Sequence, residues 1–393
     1  MARLHHDVDS ALADIPAGEF ADASVTVVVP DLTRPIEYGR HVVPLLERLV
    51  EIGADPRVLV GMGLHRQMSD DEIAPLADPA RELSIPVDQN NAHGAATVEI
   101  DVDVSQGRPG WPSLPATCHR AVVEADIVVS VGTVEPHQYA GFSGGPKGIA
   151  IGCAGEATIS AMHGLEFLRR KGTRLGATEE NPFHMALWRL VDPLPPLYGF
   201  QIVPGSGEMG EEVGFGPVRD VFEAAVDAAR SRFFALVDEP FDWVHLPVPD
   251  VKASNFYQAS RAATYVALSE RPAIARGGTI VVEASCPEGI GTGSGEQACA
   301  ESLARGRDVL LEELRGTASV ETRGGQQRAY VIALALDRCD IALVGAPEID
   351  VLAAVGIPQF ETYRKAESAL GLEGEGETID DVFHSVPVLA PDP

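Results

Sequence analysis

Asp126-Ile-Val-Val-Ser-Val131-Gly132-Thr-Val-Glu-Pro-His137-Gln-Tyr-Ala-Gly-Phe-Ser143-Gly-Gly-Pro-Lys147 joins a near-continuous apolar run to a histidine, a glycine turn and a lysine. A short run with no polar alternation predicts a strand buried on both faces, as in a parallel sheet covered by helices. Similar β-branched runs occupy residues 25–29, 57–60, 243–247, 279–283 and 340–344, each ending in glycine or polar residues. Helix-length stretches such as 38–53 and 70–82 lie between several of them. The alternation predicts an α/β fold with mostly parallel sheets.

Length and punctuation refine this expectation. A chain of 393 residues exceeds what one hydrophobic core usually organises, so two α/β domains are expected. A long helical stretch, 220–236, runs into the acidic, proline-containing segment Val237-Asp-Glu-Pro-Phe-Asp242, which puts the boundary near 240 and gives domains 1–240 and 241–393. Their expected meeting place is an active-site cleft. Ser69-Asp-Asp-Glu72 has the pattern of a capping box, and Ser254 or Asn255 is placed to cap a helix over 257–269. Residues 371–393, rich in Gly, Glu and Pro, predict a tail ending in extended or loose structure. No internal repeat is visible.

Composition excludes several classes. With 45% hydrophobic and 22% charged residues and no apolar run near the eighteen or so that span a bilayer, the chain reads as a soluble globular protein without a membrane partner. The N-terminus, Met1-Ala-Arg-Leu-His-His-Asp7, lacks the basic and apolar regions of a secretory signal, so cytoplasmic residence is expected. Five scattered cysteines with no C-x-x-C pair point to reduced thiols rather than a disulfide framework or structural zinc. A net charge of −28 argues against nucleic acid, whose phosphates need a basic face. An anionic small molecule would need a local positive pocket within this repelling field. Only four lysines occur, at 147, 171, 252 and 365, so one behind a Ser-Gly-Gly turn stands out.

The loops that follow the predicted strands carry the reactive groups. They are Pro30-Asp31-Leu-Thr33-Arg34-Pro35, Gly61-Met-Gly-Leu-His65-Arg66 and the 132–147 stretch. In open parallel sheets ligands bind at the carboxyl ends of strands, so Asp31, Arg34, His65, His137 and Lys147 can converge there. Arg34 suits a bidentate grip on carboxylate or phosphate with Asp31 orienting it; the plain alternative is a capped turn with a surface ion pair. His65 and His137 suit acid/base work near neutral pH, against the alternative of hydrogen-bonded loop histidines. Ser143, Gly144 and Gly145 before Lys147 resemble a phosphate-cradling turn, although the Walker spacing is absent. A structural turn with a solvated lysine is its plain counterpart. His65, His137 and His163 also allow metal binding, without the i, i+4 spacing of a helical zinc site.

Further along, Tyr257, Gln258 and Arg261 fall together on a predicted helix. The glycine-rich segments 283–295 and 324–327 are candidate pocket walls. Lys147 also admits a pyridoxal phosphate Schiff base, and a non-catalytic nucleotide- or cofactor-binding protein is a third possibility.

The combination Pro136-His137, Ala140-Gly-Phe-Ser-Gly-Gly-Pro-Lys147 and Met162-His163 resembles the LarA-type lactate racemases, which use a nickel-pincer nucleotide. The resemblance spans Asp31 to about Gly345. It implies a cofactor held covalently by Lys147, nickel bound by His163, and His65 and His137 as alternating acid/base groups. Asp31, Arg34, Tyr257 and Gln258 match substrate-site residues. The implied chemistry is reversible hydride transfer from C2 of a 2-hydroxy acid, with a transient 2-keto acid whose rotation permits racemisation or epimerisation. Cofactor maturation enzymes are implied partners. This chain departs from the family's lactate enzymes at Arg261, where they carry lysine, and at Gln326 beside Gln327, where a tryptophan is expected. Arginine's longer fork makes a larger or dicarboxylic substrate such as malate a candidate beside lactate.

Overall fold

In the computed structural model the apolar run becomes the strand Ile127–Thr133, all seven of whose residues are buried. The described residues are 2–34, 36–105, 111, 114–205, 209–316 and 322–391. That strand is β4 of a six-stranded sheet built from β1 (Ser24–Pro30), β2 (Asp55–Gly61), β3 (Val87–Gln89), β4, β5 (Leu197–Val203) and β6 (Glu212–Pro217). Their spatial order is β6-β5-β4-β1-β2-β3, parallel except for the β5–β6 pair. Because β4, β1 and β2 are parallel neighbours, the loops that leave them emerge at one end of the sheet. That topology positions the candidate site.

The valines of the central strands bury against α1 (Val43–Glu51) through Leu45, Leu46 and Leu49. The predicted helix 38–53 begins differently from expectation, with a π-helical turn at Tyr38–Val42. Pro44, which cannot donate a backbone hydrogen bond, stands in the first turn of α1, where that donor is not needed. The helix α2 (Asp70–Glu82) has the predicted capping box, with both the Ser69 and Glu72 side chains engaged. Two further helices, α3 (Pro182–Val191) and α4 (Val218–Phe233), follow in the chain.

The second unit carries β7 (Phe234–Val237), β8 (Phe241–Pro247), β9 (Ile274–Glu283), β10 (Asp340–Val344), β11 (Gln359–Phe360), β12 (Gly376–Thr378) and β13 (Val386–Leu389). Five of them form an all-parallel sheet, β11-β10-β9-β8-β12, while β7 pairs with β13. Its helices include α5 (Phe256–Ala267) and α6 (Gln326–Arg338). Both units are therefore α/β with mostly parallel sheets.

The structure refines three of these expectations. The helix 220–236 ends at Phe233, and the next four residues pair as β7. The tail takes the extended alternative: β12 adds to the sheet, and Val386 and Val388 of β13 are fully buried against Leu175, Phe234 and Tyr265. The compact units are residues 1–162 with 182–230, and 163–181 with 231–393, rather than two pieces split once at 240. Leu175 explains this exchange, since its backbone bonds Leu268 and Glu270 within the second unit. Pairings between residues so distant in sequence leave no local signal.

All five cysteines are buried free thiols. Among the described residues no helix is long and apolar enough to cross a membrane.

Val386→Ala and Val388→Ala should each destabilise the protein by about 2 kcal/mol, from lost transfer energy plus cavity. The measurement is the urea midpoint, and an unchanged midpoint in the double variant would contradict the packing described for β13.

Candidate active site

The loop after β1 delivers Asp31, which is 6% exposed, and the loop after β2 delivers the exposed His65. Gly63 enables the second turn by adopting a left-handed φ of +56°. The His65 Nδ1 lies 2.6 Å from Asp31 Oδ2, while Asp31 Oδ1 accepts from the Thr33 amide at 3.2 Å and its hydroxyl at 2.6 Å. Burial alone would raise the Asp31 pKa, but the bonds from His65 and Thr33 outweigh it and hold the carboxyl below its ordinary value. An ionised carboxylate only accepts, so the neutral His65 ring carries its proton on Nδ1 and presents a lone pair at Nε2. Asp31 thus orients His65, not Arg34 as expected from the sequence. Tyr38, which sequence reading missed, donates from its hydroxyl to the Pro30 carbonyl at 2.7 Å, beside Asp31. Burial first, and then the Asp31 charge, push its phenol pKa up, so it remains a neutral donor.

His137 is arranged in the opposite sense. It lies in a two-residue strand, Pro136–His137, paired with Gly141–Phe142. Its Nδ1 accepts from the Tyr139 and Ala140 amides at 3.3 and 3.2 Å. The neutral ring therefore holds its proton on Nε2. One histidine offers an acceptor at Nε2 and the other a donor.

The glycine turn is fixed from beneath. Gly145 N–H donates to Gln201 Oε1 at 2.8 Å, Gln201 Nε2 donates to the Ser130 carbonyl at 2.8 Å, and Ser130 Oγ donates to the Gly145 carbonyl at 2.9 Å. Gly144 and Gly145 have φ of +79° and +52°, and an added Cβ would lie 2.7 Å from Gln201 Oε1 or 2.6 Å from the Phe222 ring. Ser143 Oγ donates to the Thr133 carbonyl at 2.8 Å and accepts from the Glu135 amide at 3.1 Å. The expectation of an anion cradle is therefore corrected for these groups: the Ser143 hydroxyl and Gly145 amide are spent inside the protein, and they shape the turn.

Lys147 emerges from that turn, half-buried, at the head of the single-turn helix Lys147–Ala150. Burial, reinforced by the nearby Arg34 charge and opposed by Asp31, lowers its pKa from 10.5 to about 7. Arg34, Thr133, Gly144 and Lys147 line a small cavity of about 50 Å³. The Thr133 hydroxyl is buried there without a hydrogen-bond partner among the described residues. No carboxylate pairs with either Arg34 or Lys147 among those residues. This arrangement suits an anion.

The second unit places Tyr257, Gln258 and Arg261 on α5, half-buried. Asn255, rather than Ser254, caps the helix by accepting from the Gln258 amide at 3.0 Å. The glycine-rich loop serves the same helix, since Gly289 and Ile290 carbonyls accept from the Phe256 and Tyr257 amides. Arg328 was not foreseen. It is 5% exposed, and its guanidinium donates to Ser260 and Thr264 on the face of α5 that also bears Tyr257 and Arg261. Burial raises the Tyr257 pKa, with Arg328 and Arg261 pulling the other way. His163 is half-buried and groups with this unit. No cluster of three or more His, Cys, Asp or Glu among the described residues could hold a metal; attachment through one histidine needs no such cluster.

Comparison with known proteins follows the same outline. Residues 8–176 match the family described as lactate racemase N-terminal domain. The lactate racemase of Thermoanaerobacterium thermosaccharolyticum is 26% identical over 330 residues, which cover 77% of this chain and 71% of that protein. The lactate racemase of Lactiplantibacillus plantarum is 32% identical over 167 residues, 41% of this chain and 37% of the relative. The solved lactate racemase apoprotein from T. thermosaccharolyticum superposes with a TM-score of 0.79 at 21% identity, covering 97% of this chain and 91% of that one, so the two share a fold.

With a pKa of about 7, the Lys147 amine should be half-neutral at neutral pH and protonated below it. Acylation mapped by mass spectrometry should therefore reach half its maximal rate at Lys147 near pH 7, roughly three units below an ordinary lysine. Arg34→Gln removes a like charge and should move that midpoint upward. A wild-type midpoint near 10 would contradict this electrostatic account.

Proposed function

The chain belongs to the LarA-type lactate racemase family, and we propose that it racemises or epimerises a 2-hydroxy carboxylate with a nickel-pincer nucleotide attached to Lys147. The observation that carries this proposal is the depressed Lys147 amine beside Arg34, because covalent attachment through nitrogen requires the neutral form. The fit extends to the surrounding cavity, where the Thr133 hydroxyl, without a hydrogen-bond partner among the described residues, and the Arg34 guanidinium can meet an anionic group. His163 would supply the nickel ligand. When bound, the group supplies the acceptor and donor for the hydrogen on substrate C2. Separate maturation enzymes would install it.

The protein's own groups divide the remaining work. Arg34, which pairs with no carboxylate among the described residues, holds the substrate carboxylate by charge-assisted hydrogen bonds. His65 takes up the substrate hydroxyl proton at Nε2, and Asp31 stabilises the imidazolium that results. His137 holds a proton at Nε2 and can return it to a hydroxyl of the opposite orientation. Tyr257 and Gln258 supply polar contacts to the substrate. Arg261 forms no ion pair among the described residues, which favours a substrate with a second anionic group, such as malate, alongside lactate-like acids.

Intact-mass and nickel analysis of host-matured protein tests the attachment. Wild type should carry the adduct, and Lys147→Ala should carry none and lose activity; an active Lys147→Ala protein would sink the proposal. His65→Ala and His137→Ala should retain the adduct while kcat/KM falls by about 10²–10⁴-fold. For specificity, Arg261→Lys should lower the malate-to-lactate ratio of kcat/KM by roughly tenfold, the effect of about 1.4 kcal/mol. An unchanged ratio would remove Arg261 from substrate selection.

A further inference from the structure

The helix α1 is entered through the π-helical turn Tyr38–Val42, closed by the Val43 amide donating to the Tyr38 carbonyl five residues back. Such a turn holds one residue more than an α-helical one, and π-turns are frequent at functional sites. Because Leu45, Leu46 and Leu49 dock α1 on the core, the number of residues between them and Tyr38 fixes where the phenol points. One residue fewer would swing it about 100° around the helix axis.

As the turn stands, Tyr38 is 5% exposed and its hydroxyl donates to the Pro30 carbonyl at 2.7 Å. That carbonyl belongs to the peptide unit leading into Asp31, and a planar unit held at its oxygen fixes the direction in which the next Cα leaves. Asp31 Oδ2 lies 2.6 Å from His65 Nδ1. One peptide unit therefore separates the Tyr38 bond from the bond that orients His65.

The turn has an anchor of its own. His41, 2% exposed, faces the Glu211 carboxylate just ahead of β6, with Nε2 at 3.1 and 3.2 Å from its two oxygens. A carboxylate only accepts, so His41 Nε2 carries a proton. Arg40 Nη2 reaches the same carboxylate at 2.6 Å. His41 Nδ1 turns back to the residue before the turn, 3.3 Å from the Glu37 amide and 3.1 Å from its carbonyl. Two successive side chains of the turn thus hold one acid, and one of them also holds the turn's entry.

We propose that this π-helical turn, anchored by Glu211, aims the Tyr38 hydroxyl at the Pro30 carbonyl and so makes Tyr38 a positioning residue for the Asp31–His65 pair. Without the hydroxyl, the Pro30–Asp31 peptide can rotate and the carboxylate loses its line to His65 Nδ1. The exposed imidazole then samples both tautomers, and its lone pair is no longer kept at Nε2. The inference rests on the proposed function only for the acid/base role of His65.

The test is long-range proton–nitrogen NMR of apoprotein labelled with ¹⁵N-histidine, at a pH where the ring is neutral, with the His65 signals identified by their loss in His65→Gln. In wild type, His65 Nδ1 should resonate as a protonated nitrogen and Nε2 as an unprotonated one. Tyr38→Phe should move both toward averaged values. Deletion of Gly39, where an added Cβ would meet nothing within 4 Å, removes the extra residue of the turn and should have the same effect. Glu211→Ala should fall between, whereas Glu211→Gln, which keeps an acceptor for His41 Nε2–H, should retain the wild-type pattern. In mature enzyme, Tyr38→Phe should lower kcat on the order of tenfold with KM retained. Wild-type His65 nitrogens in folded Tyr38→Phe, or in the folded deletion variant, would overturn the proposal. Should neither fold, wild-type nitrogens in Glu211→Ala would do the same. Full activity in His65→Ala would instead remove the acid/base assignment and leave the tautomer result standing.

Discussion

Gln201 is fully buried, and both ends of its amide are committed, to the Gly145 amide and to the Ser130 carbonyl. Leaving either end unsatisfied would cost on the order of 1–3 kcal/mol, so strands β4 and β5 and the glycine turn hold one arrangement. Ser130 closes the ring of bonds onto the Gly145 carbonyl. The turn then has room for neither a side chain nor a different backbone path at Gly144 and Gly145. Lys147, two residues on, inherits its position from this constraint. A reactive amine on a flexible stem needs such an anchor if it is to meet a particular partner.

Charge supplies the second layer of control. In a chain of net charge −28, a half-buried lysine and an arginine lie close together, neither of them ion-paired with a carboxylate among the described residues. Each raises the energy of the other's charge, and the lysine, with its deprotonation accessible, absorbs the strain as a lowered pKa. Asp31 is near enough to moderate the effect, yet it spends its hydrogen-bonding capacity on His65 and Thr33. One carboxylate thus orients a histidine while the cations remain open to a ligand.

Much of this was legible locally. The buried strands, the capping box at Ser69 and the loops bearing Asp31, His65, His137 and Lys147 follow from patterns within a few residues. The groups that escaped notice depend on distant partners. Gln201 is a lone polar residue inside the strand Leu197–Val203, which could have marked it; nothing local says that it meets Gly145. Arg328 looks like one more polar residue of a helix until Ser260 and Thr264 are brought beneath it. Gly, Glu and Pro dominate the tail and left it open between extended and loose; two valines with partners more than a hundred residues away decide its conformation.

By itself the sequence determined the α/β class, the strand-end loops and the short inventory of groups capable of acid/base and covalent chemistry. These depend on periodicity, turn residues and side-chain chemistry, all of which are local. Tertiary structure alone decided which of those groups are paired, which are spent and which are protonated where. Asp31 went to His65 instead of Arg34, Ser143 to its own hairpin, and the two histidines to opposite tautomers. Hydrogen-bond partners and burial decide such matters, and both are properties of chain segments brought together by folding.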